Sequence, residues 1–120
     1  MTEKPKTFDV RVLLFREGSE WTALALEMNV RGYGSEPDAA VRDLCEMLAA
    51  QVSFAVQMGH PESVWQRAEE KYWQMFEDAR RDRFVAEVSG SELPAEPIAN
   101  IVALPLLALK HRDEWTAARA

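Results

Sequence analysis

The sequence predicts an α+β domain: a three-stranded antiparallel sheet followed by helices and one last strand, in the order β-β-β-α-α-β. Apolar residues alternate at period two in the first part of the chain and recur at helical spacing after residue 35. A short apolar run near residue 101 has the length of a single strand. With 120 residues, of which 48% are hydrophobic and 28% charged, the chain fits one domain over 1–120.

The first half of the sheet is predicted from two alternating segments and a glycine-containing turn. Phe8–Phe15 and Trp21–Met28 each read as a strand. The polar turn between them contains Gly18, which can adopt positive φ, so we predict an antiparallel hairpin. Val30–Gly34 is predicted as a short third strand, with glycines where the backbone closely approaches another element.

Two helices are predicted to follow. The first starts near Ser35, which can cap it, has Pro37 in its first turn and ends at Gly59. Its apolar stripe comprises Val41, Leu44, Cys45, Leu48, Val52, Ala55 and Val56. The second, an additional long helix, is predicted over 61–83. Its stripe comprises Val64, Trp65, Ala68, Tyr72, Met75, Phe76 and Ala79.

Short extended segments are predicted for the rest of the chain. Phe84–Val88 reads as a short strand, and Ser89–Asn100 as a loop because it contains glycine and prolines. Ile101–Leu104 is predicted as the last strand, so that 98–120 forms this strand and a C-terminal tail. The sequence leaves open whether 98–109 is a core strand or a docking segment.

Charge and hydropathy exclude several classes of function. The chain has 14 Lys and Arg against 20 Asp and Glu, giving a net charge of −6, and both halves are acidic. Because nucleic-acid affinity needs cationic surface, we expect no direct DNA or RNA binding, and a basic protein partner is favoured. The N-terminus has no apolar signal-peptide core and the longest apolar run is too short to span a bilayer. We therefore expect a cytoplasmic protein without a membrane partner.

No residue pattern predicts a catalytic centre, a metal site or a cofactor. Cys45 is the only cysteine, which excludes an intrachain disulfide and a thiolate metal cluster. It lies on the first helix stripe without a neighbouring base, so we expect a structural thiol. His60 and His111 are far apart in the chain, and their simplest roles are a loop or capping residue and an exposed residue.

One ordered set of residues carries a family resemblance. Within 21–44, a strand ends in a Leu-Glu pair, a glycine precedes a helix cap, and the helix opens with an acidic residue and alanines. The residues in these places are Leu26, Glu27, Gly34, Ser35, Ala39 and Ala40. This arrangement resembles the core of the HicB-like family over roughly 8–57. The resemblance implies a β-β-β-α-β unit of the partial ribonuclease-H-like fold, homo-oligomers, and a relation to antitoxins that bind a small basic ribonuclease toxin.

The chain departs from the classical members of that family after residue 60. Those members add a helix-turn-helix or ribbon-helix-helix element that binds DNA. Here 61–83 is predicted as one long helix, and its arginines are interleaved with Asp78 and Asp82. We therefore do not expect this chain to bind operator DNA as the classical members do. It more closely resembles stand-alone HicB-like proteins.

We accordingly predict a non-catalytic protein-binding module, antitoxin-like or regulatory, that binds a basic protein. Three aromatic residues are the candidate partner-binding residues. Trp73 lies off the stripe of the second helix, as an interface anchor would. Trp21 and Tyr33 are expected on the sheet face opposite Leu24, where they would be exposed if the helices cover only one face.

Two alternatives stay open. A metal-dependent nuclease would need several carboxylates converging on one site, and Asp9, Glu27 and Asp43 are its candidates although their placement does not obviously converge. An accessory subunit of a larger assembly would instead dock through the long second helix and the apolar tail.

Overall fold

Four strands and two helices make up residues 7–105, which are the residues that the computed structural model describes. In chain order they are β1 (Thr7–Glu17), β2 (Glu20–Ala25), β3 (Val30–Gly34), α1 (Pro37–Gln57), a 3-10 turn (Pro61–Val64), α2 (Glu70–Ser89) and β4 (Ile98–Pro105). The predicted α+β class is confirmed, and the order of strands and helices agrees with the prediction.

The sheet has four strands rather than three, because the last strand joins it. The strand order is β3-β2-β1-β4, and every pair is antiparallel. β1 is central: it forms a hairpin with β2 and pairs with all of β4, from Leu14 opposite Ile98 to Thr7 opposite Pro105. Residues 98–105 are therefore a strand of the sheet, while 106–109 and the rest of the predicted tail lie outside the described residues.

The two helices pack on opposite faces of this sheet. One core cluster, on what we call the α1 face, contains Val10, Val12, Leu14, Ala23, Ala25, Met28, Val30, Ala40, Leu44 and Leu48. The other, on the α2 face, contains Leu13, Leu24, Leu26, Ala68 and Phe76. Because β1 contributes to both clusters, both of its faces are apolar over residues 12–14, as expected for a strand covered on both sides.

α1 ends as predicted but begins without the predicted side-chain cap. Glu36 is the N-cap residue, and no side chain caps the helix, so Ser35 does not act as a cap. Pro37 is the first helical residue, where its missing N–H costs nothing. The helix ends at Gln57, and Gly59 follows with a φ of 77°. Leu44, Leu48, Val52 and Ala55 of the predicted stripe are buried.

α1 lies directly against the backbone of β3. A Cβ added at Gly32 would collide with the backbones of Ala40 and Leu44, and one added at Gly34 would lie 2.6 Å from the Ala40 nitrogen. The glycines of β3 therefore permit the close approach that the sequence predicted, and they fix the distance between the helix and the sheet.

The second helix starts later and ends later than predicted. Residues 61–64 form the 3-10 turn, and 65–69 are irregular because this segment crosses from the α1 face to the α2 face. The Ala68 N–H donates to the Leu26 carbonyl at 2.9 Å and anchors the crossing. Trp65 is consequently not part of a helical stripe. It is 50% exposed, and its ring meets that of Phe8 edge-on at 4.9 Å.

The predicted strand Phe84–Val88 is wrong, since these residues lie inside α2. The preference of Phe and Val for strands is weak and depends on a partner strand. A helix that has already formed gains one hydrogen bond for each residue it adds, so it extends through this segment. It stops at Gly90, whose φ of 72° is the left-handed conformation that ends many helices.

Neither long helix has the character of a membrane span. α1 carries charged residues such as Arg42 and Glu46 on its exposed side, and α2 is charged along much of its length. Within residues 7–105, no helix is both long and apolar enough to cross a bilayer.

Candidate protein-binding site

Two of the three predicted partner-binding residues lie on opposite faces of the sheet. Trp21 is half-buried on the α1 face, and the guanidinium carbon of Arg16 lies 5.9 Å from its ring centroid. Tyr33 pairs with Thr22 and so lies on the α2 face, where it is 46% exposed. We expected both residues on the sheet face that does not carry Leu24. This is correct for Trp21 and wrong for Tyr33. The register of β3 places a glycine, not Tyr33, opposite Trp21.

Trp73 is half-buried between two arginines instead of standing free on the helix flank. The guanidinium carbon of Arg67 lies 4.0 Å from its ring, and that of Arg11 lies 5.6 Å away. These distances allow cation–π attraction on the indole. Its Nε1 is buried and has no hydrogen-bond partner within residues 7–105. Trp73 thus contributes to packing α2 on the sheet.

Tyr72 extends the same cluster towards β3. Its ring stacks on Phe15 at 5.9 Å, and its hydroxyl accepts a hydrogen bond from Arg31 at 3.0 Å. Burial lowers the pKa of Arg31, but the hydrogen bond to Tyr72 and the charges of Tyr72, Tyr33 and Glu17 together outweigh it, so the net shift of the pKa is upward. The arginine side chains of this cluster are therefore engaged within the protein, and the cluster joins β1, β3 and the start of α2.

The carboxylates considered for a nuclease do not form a metal site. Glu27 uses both oxygens on Arg11, and Asp43 accepts the Tyr33 backbone N–H at 2.8 Å. Asp9 is exposed on β1. Across the part of the chain that the structure describes, no group of three or more His, Cys, Asp or Glu side chains could hold a metal ion.

The other residues singled out for reactivity have ordinary surroundings. Cys45 is half-buried at the margin of the α1 stripe, and burial raises the pKa of its thiol. His60 is exposed before the 3-10 turn, with Nδ1 3.3 Å from a carboxylate oxygen of Glu62. His111 lies outside the described residues.

An apolar cleft lies between α2 and the segment leading into β4. It has a volume of about 520 Å³. Its apolar surface includes Met75, Ala79, Leu93 and Ile98. Its charged lining consists of Asp78, Asp82, Glu96 and Arg83. We call this feature the α2–β4 cleft.

The rim of the α2–β4 cleft is acidic. Glu96 also accepts the Arg16 backbone N–H at 2.8 Å, which fixes this side of the cleft to β1. Asp78 accepts hydrogen bonds from its own helix, including one from Arg81 at 3.1 Å. Asp82 forms no hydrogen bond or ion pair with any described residue, and the one cation of the lining, Arg83, is paired with Glu87 at 3.1 Å. The rim therefore presents an excess of negative charge beside an apolar surface.

The chain builds this cleft from features that are far apart in sequence. Asp78 and Asp82 are four residues apart and so share one side of α2, with Met75 and Ala79 next to them. Gly90 then reverses the chain, which brings Leu93 back beside the helix. Sequence reasoning missed the cleft because it considered Asp78 and Asp82 only as charges interleaved with arginines, and 89–100 only as a loop. The spacing of the two aspartates beside apolar residues was the available signal.

Comparison with known proteins assigns no family. No protein-family model matches the chain, and no curated protein or solved structure matches it. What the protein does is therefore inferred from its own charge and geometry.

Proposed function

We propose that this protein is a non-catalytic, HicB-like protein-binding module of the cytoplasm, antitoxin-like or regulatory, whose α2–β4 cleft binds a basic segment of a partner protein. The acidic rim beside an apolar surface is the observation that carries the proposal. A net charge of −6 adds long-range attraction for a basic partner. A small basic toxin is the partner that the family resemblance implies.

The chemistry of the cleft defines what it would bind. Its volume of about 520 Å³ lies within the range of ligand pockets, and Leu93 and Met75 offer apolar contact to one anchoring side chain. Asp82 is available to a lysine or arginine next to that anchor. The best-fitting segment is thus one apolar side chain flanked by basic residues. Its binding weakens as salt rises, because exposed charges are screened.

The order of the elements also supports the HicB-like part of the proposal. β1, β2, β3, α1 and β4 follow the β-β-β-α-β order that the resemblance implies, with α2 inserted before the last strand. A fold of this kind carries many functions, so the partial ribonuclease-H-like assignment by itself does not select one. The specific argument for binding a basic protein segment comes from the α2–β4 cleft.

A matched pair of charge reversals tests the proposal. Tagged wild type, Asp82→Lys and Glu77→Lys are used to capture proteins from the native cells at low and high salt. Both variants change the charge equally, but only Asp82 lines the cleft, while Glu77 is exposed on α2 outside its lining. We expect one basic protein to be retained stoichiometrically by wild type and Glu77→Lys, and to be lost with Asp82→Lys and at high salt. Equal capture by both variants would refute the cleft as the binding site.

The accessory-subunit alternative is favoured by one observation of its own. The outer side of α2 near its end exposes Phe84 (65%), Val85 (54%) and Val88 (72%) to solvent. Exposed apolar residues grouped on one helix are typical of protein interaction sites. A partner in a larger assembly would be lost with Phe84→Lys but kept with Asp82→Lys, the opposite of the result expected for the cleft.

A further inference from the structure

The outer edge of β4 has no neighbouring strand among residues 7–105. β4 is the last strand in the sheet order. Alternate residues of an antiparallel strand direct their N–H and C=O groups to opposite sides. The Ile101 N–H donates at 2.9 Å to the side-chain oxygen of Asn100, not to a main-chain carbonyl. Ile101, and with it Ala99 and Ala103, therefore direct their main-chain groups away from the sheet.

The hydrogen bonds of β1 lead independently to the same assignment. The Arg11 carbonyl accepts the Leu26 N–H at 2.9 Å on the β2 side of the strand. The next residue, Val12, must then direct its groups to β4, where it pairs with Asn100. The even-numbered residues of β4 bond to β1, and the odd-numbered residues face outward.

The opposite edge of the sheet is covered, in contrast to β4. On β3, the outward N–H of Tyr33 is taken by the Asp43 carboxylate at 2.8 Å. α1 also lies against the β3 backbone at Gly32. Proteins commonly protect an edge strand with a covering helix, a charged side chain or a short strand, and β3, with five residues and the Asp43 carboxylate, has the last two.

Among residues 7–105, nothing gives β4 these protections over most of its length. The strand Ile98–Pro105 contains no charged residue, and its proline stands only at the last position. Ile101 is 55% exposed. A basic partner gains no charge attraction from such a strand. A second copy of this acidic chain, which is repelled elsewhere, meets no like charge on it.

We propose that β4 pairs antiparallel with β4 of a second copy of this chain, with Ile101 opposite Ile101 across a twofold axis. Ile101 lies at the middle of the strand, so this register overlaps nearly its full length. It places Ala99 of one copy opposite Ala103 of the other. The two Ile101 residues, and each pair of Ala99 with Ala103, then exchange two main-chain hydrogen bonds. The Ile101 N–H exchanges its bond to Asn100 for one to the other copy. The two sheets then form one continuous sheet.

This pairing does not depend on the proposed function of the α2–β4 cleft. Ile98 and Ala99, which line the cleft, lie at the first two positions of β4. In an antiparallel pair the two clefts therefore lie at opposite ends of the joined strands.

Site-specific cross-linking tests both the edge and the register, in a Cys45→Ala background. Residues paired across the axis have Cα atoms about 5.5 Å apart, which suits a disulfide. Ile101→Cys is expected to form a covalent dimer under mild oxidation. Ala103→Cys alone is the matched control, because its own copy lies roughly 13 Å away along the strand. A mixture of Ala103→Cys and Ala99→Cys is expected to cross-link again.

The mass in solution tests the pairing without cysteines. Light scattering on the full chain is expected to give twice the monomer mass. Ala103→Pro removes one outward N–H and leaves the bonds to β1 intact, and Ile101→Lys places like charges opposite each other. Both are expected to give monomers with unchanged far-ultraviolet circular dichroism.

Three outcomes would overturn the proposal. One is a wild type that stays monomeric at high concentration. If the Ala99 and Ala103 amides of that monomer also resist hydrogen exchange, another part of the same chain covers the edge. Another is a dimer whose mass neither substitution changes. The third is a dimer in which Ile101→Cys cross-links no better than Ala103→Cys.

Discussion

Both carboxylate oxygens of Glu27 are bonded to Arg11: one accepts its backbone N–H and the other its guanidinium, each at 2.9 Å. β2 ends at Ala25, so the Arg11 N–H has no further strand residue on that side to pair with. The Glu27 side chain replaces that partner and is only 13% exposed. Because the Arg11 guanidinium also lies over the Trp73 ring, the bond to Glu27 holds Arg11 in place against α2.

Glu27→Ala is expected to lower the free energy of unfolding by about 1–3 kcal/mol, because it leaves a partly buried N–H and a guanidinium without their acceptor. Glu27→Gln keeps one oxygen for the N–H and is expected to cost less. Urea unfolding measures both. Glu77→Ala, an exposed change on α2, serves as the control. A cost for Glu27→Ala no larger than that of the control would contradict the structural role.

Two other carboxylates complete strands in the same way. Glu96 accepts the Arg16 N–H beyond the start of β4, and Asp43 accepts the Tyr33 N–H on the edge of β3, each at 2.8 Å. Some of the acidic side chains therefore stabilise the sheet by accepting hydrogen bonds from main-chain N–H groups of its strands. Glu27 and Asp43, which sequence reasoning considered as metal ligands, hold main-chain N–H groups instead.

Gly32 in β3 and Gly18 in the β1–β2 turn are expected to respond very differently to substitution by alanine. Gly32→Ala drives a Cβ into the backbone of α1 at Ala40 and Leu44, which cannot move without shifting the helix. We expect it to cost about 3 kcal/mol or more, or to prevent folding. Gly18→Ala meets open space in the hairpin turn, and only its φ of 65° is unfavourable. Its expected cost is about 1 kcal/mol.

Thermal or urea unfolding of the two variants separates these effects. Equal costs would mean that the helix can move away from β3, and that backbone conformation alone decides both positions. A greater cost for Gly18→Ala would contradict the close packing of α1 on the sheet.

The sequence predicted the elements whose pattern is local and missed those decided by distant contacts. The hairpin and α1 follow from alternation, from the helical stripe and from Gly59. The start of α2 could not be predicted, because it depends on the bond between Ala68 and Leu26 across the chain.

The face of Tyr33 shows the same limit. One residue of register moves every side chain of a strand to the other face, and the turn between β2 and β3 sets that register. Gly32 and Gly34 share a face, so their close contact with α1 places Tyr33 on the other. The α2–β4 cleft was also unpredictable, because it forms only when Leu93 returns to the side of α2.

Trp73 is expected to tolerate phenylalanine better than alanine. Its Nε1 is buried without an acceptor in the described structure, so Trp73→Phe removes an unsatisfied donor while keeping a ring between Arg11 and Arg67. The expected change in unfolding free energy is within about 1 kcal/mol. Trp73→Ala removes the ring and is expected to cost about 2 kcal/mol or more. If both variants cost the same, the indole N–H has a partner in solution, such as a water or another chain.

The thiol of Cys45 is expected to react slowly. Burial raises its pKa above the usual value of 9.0, so the folded protein holds less thiolate at any given pH than an exposed cysteine does. Iodoacetamide is therefore expected to alkylate the native chain more slowly than the urea-unfolded chain at pH 8. The midpoint of the native rate profile is expected to lie above pH 9.0.

The same shift gives the sign of a pH effect on stability. The unfolded thiol ionises at the lower pH, so the contribution of Cys45 is complete below pH 9.0 and is lost as the pH rises towards the folded pKa. Cys45→Ala is accordingly expected to show a smaller loss of stability than wild type between pH 8 and 10, measured by urea unfolding. A native alkylation midpoint below pH 9.0, or a steeper loss in Cys45→Ala, would mean that the fold favours the thiolate and that Cys45 is a reactive residue.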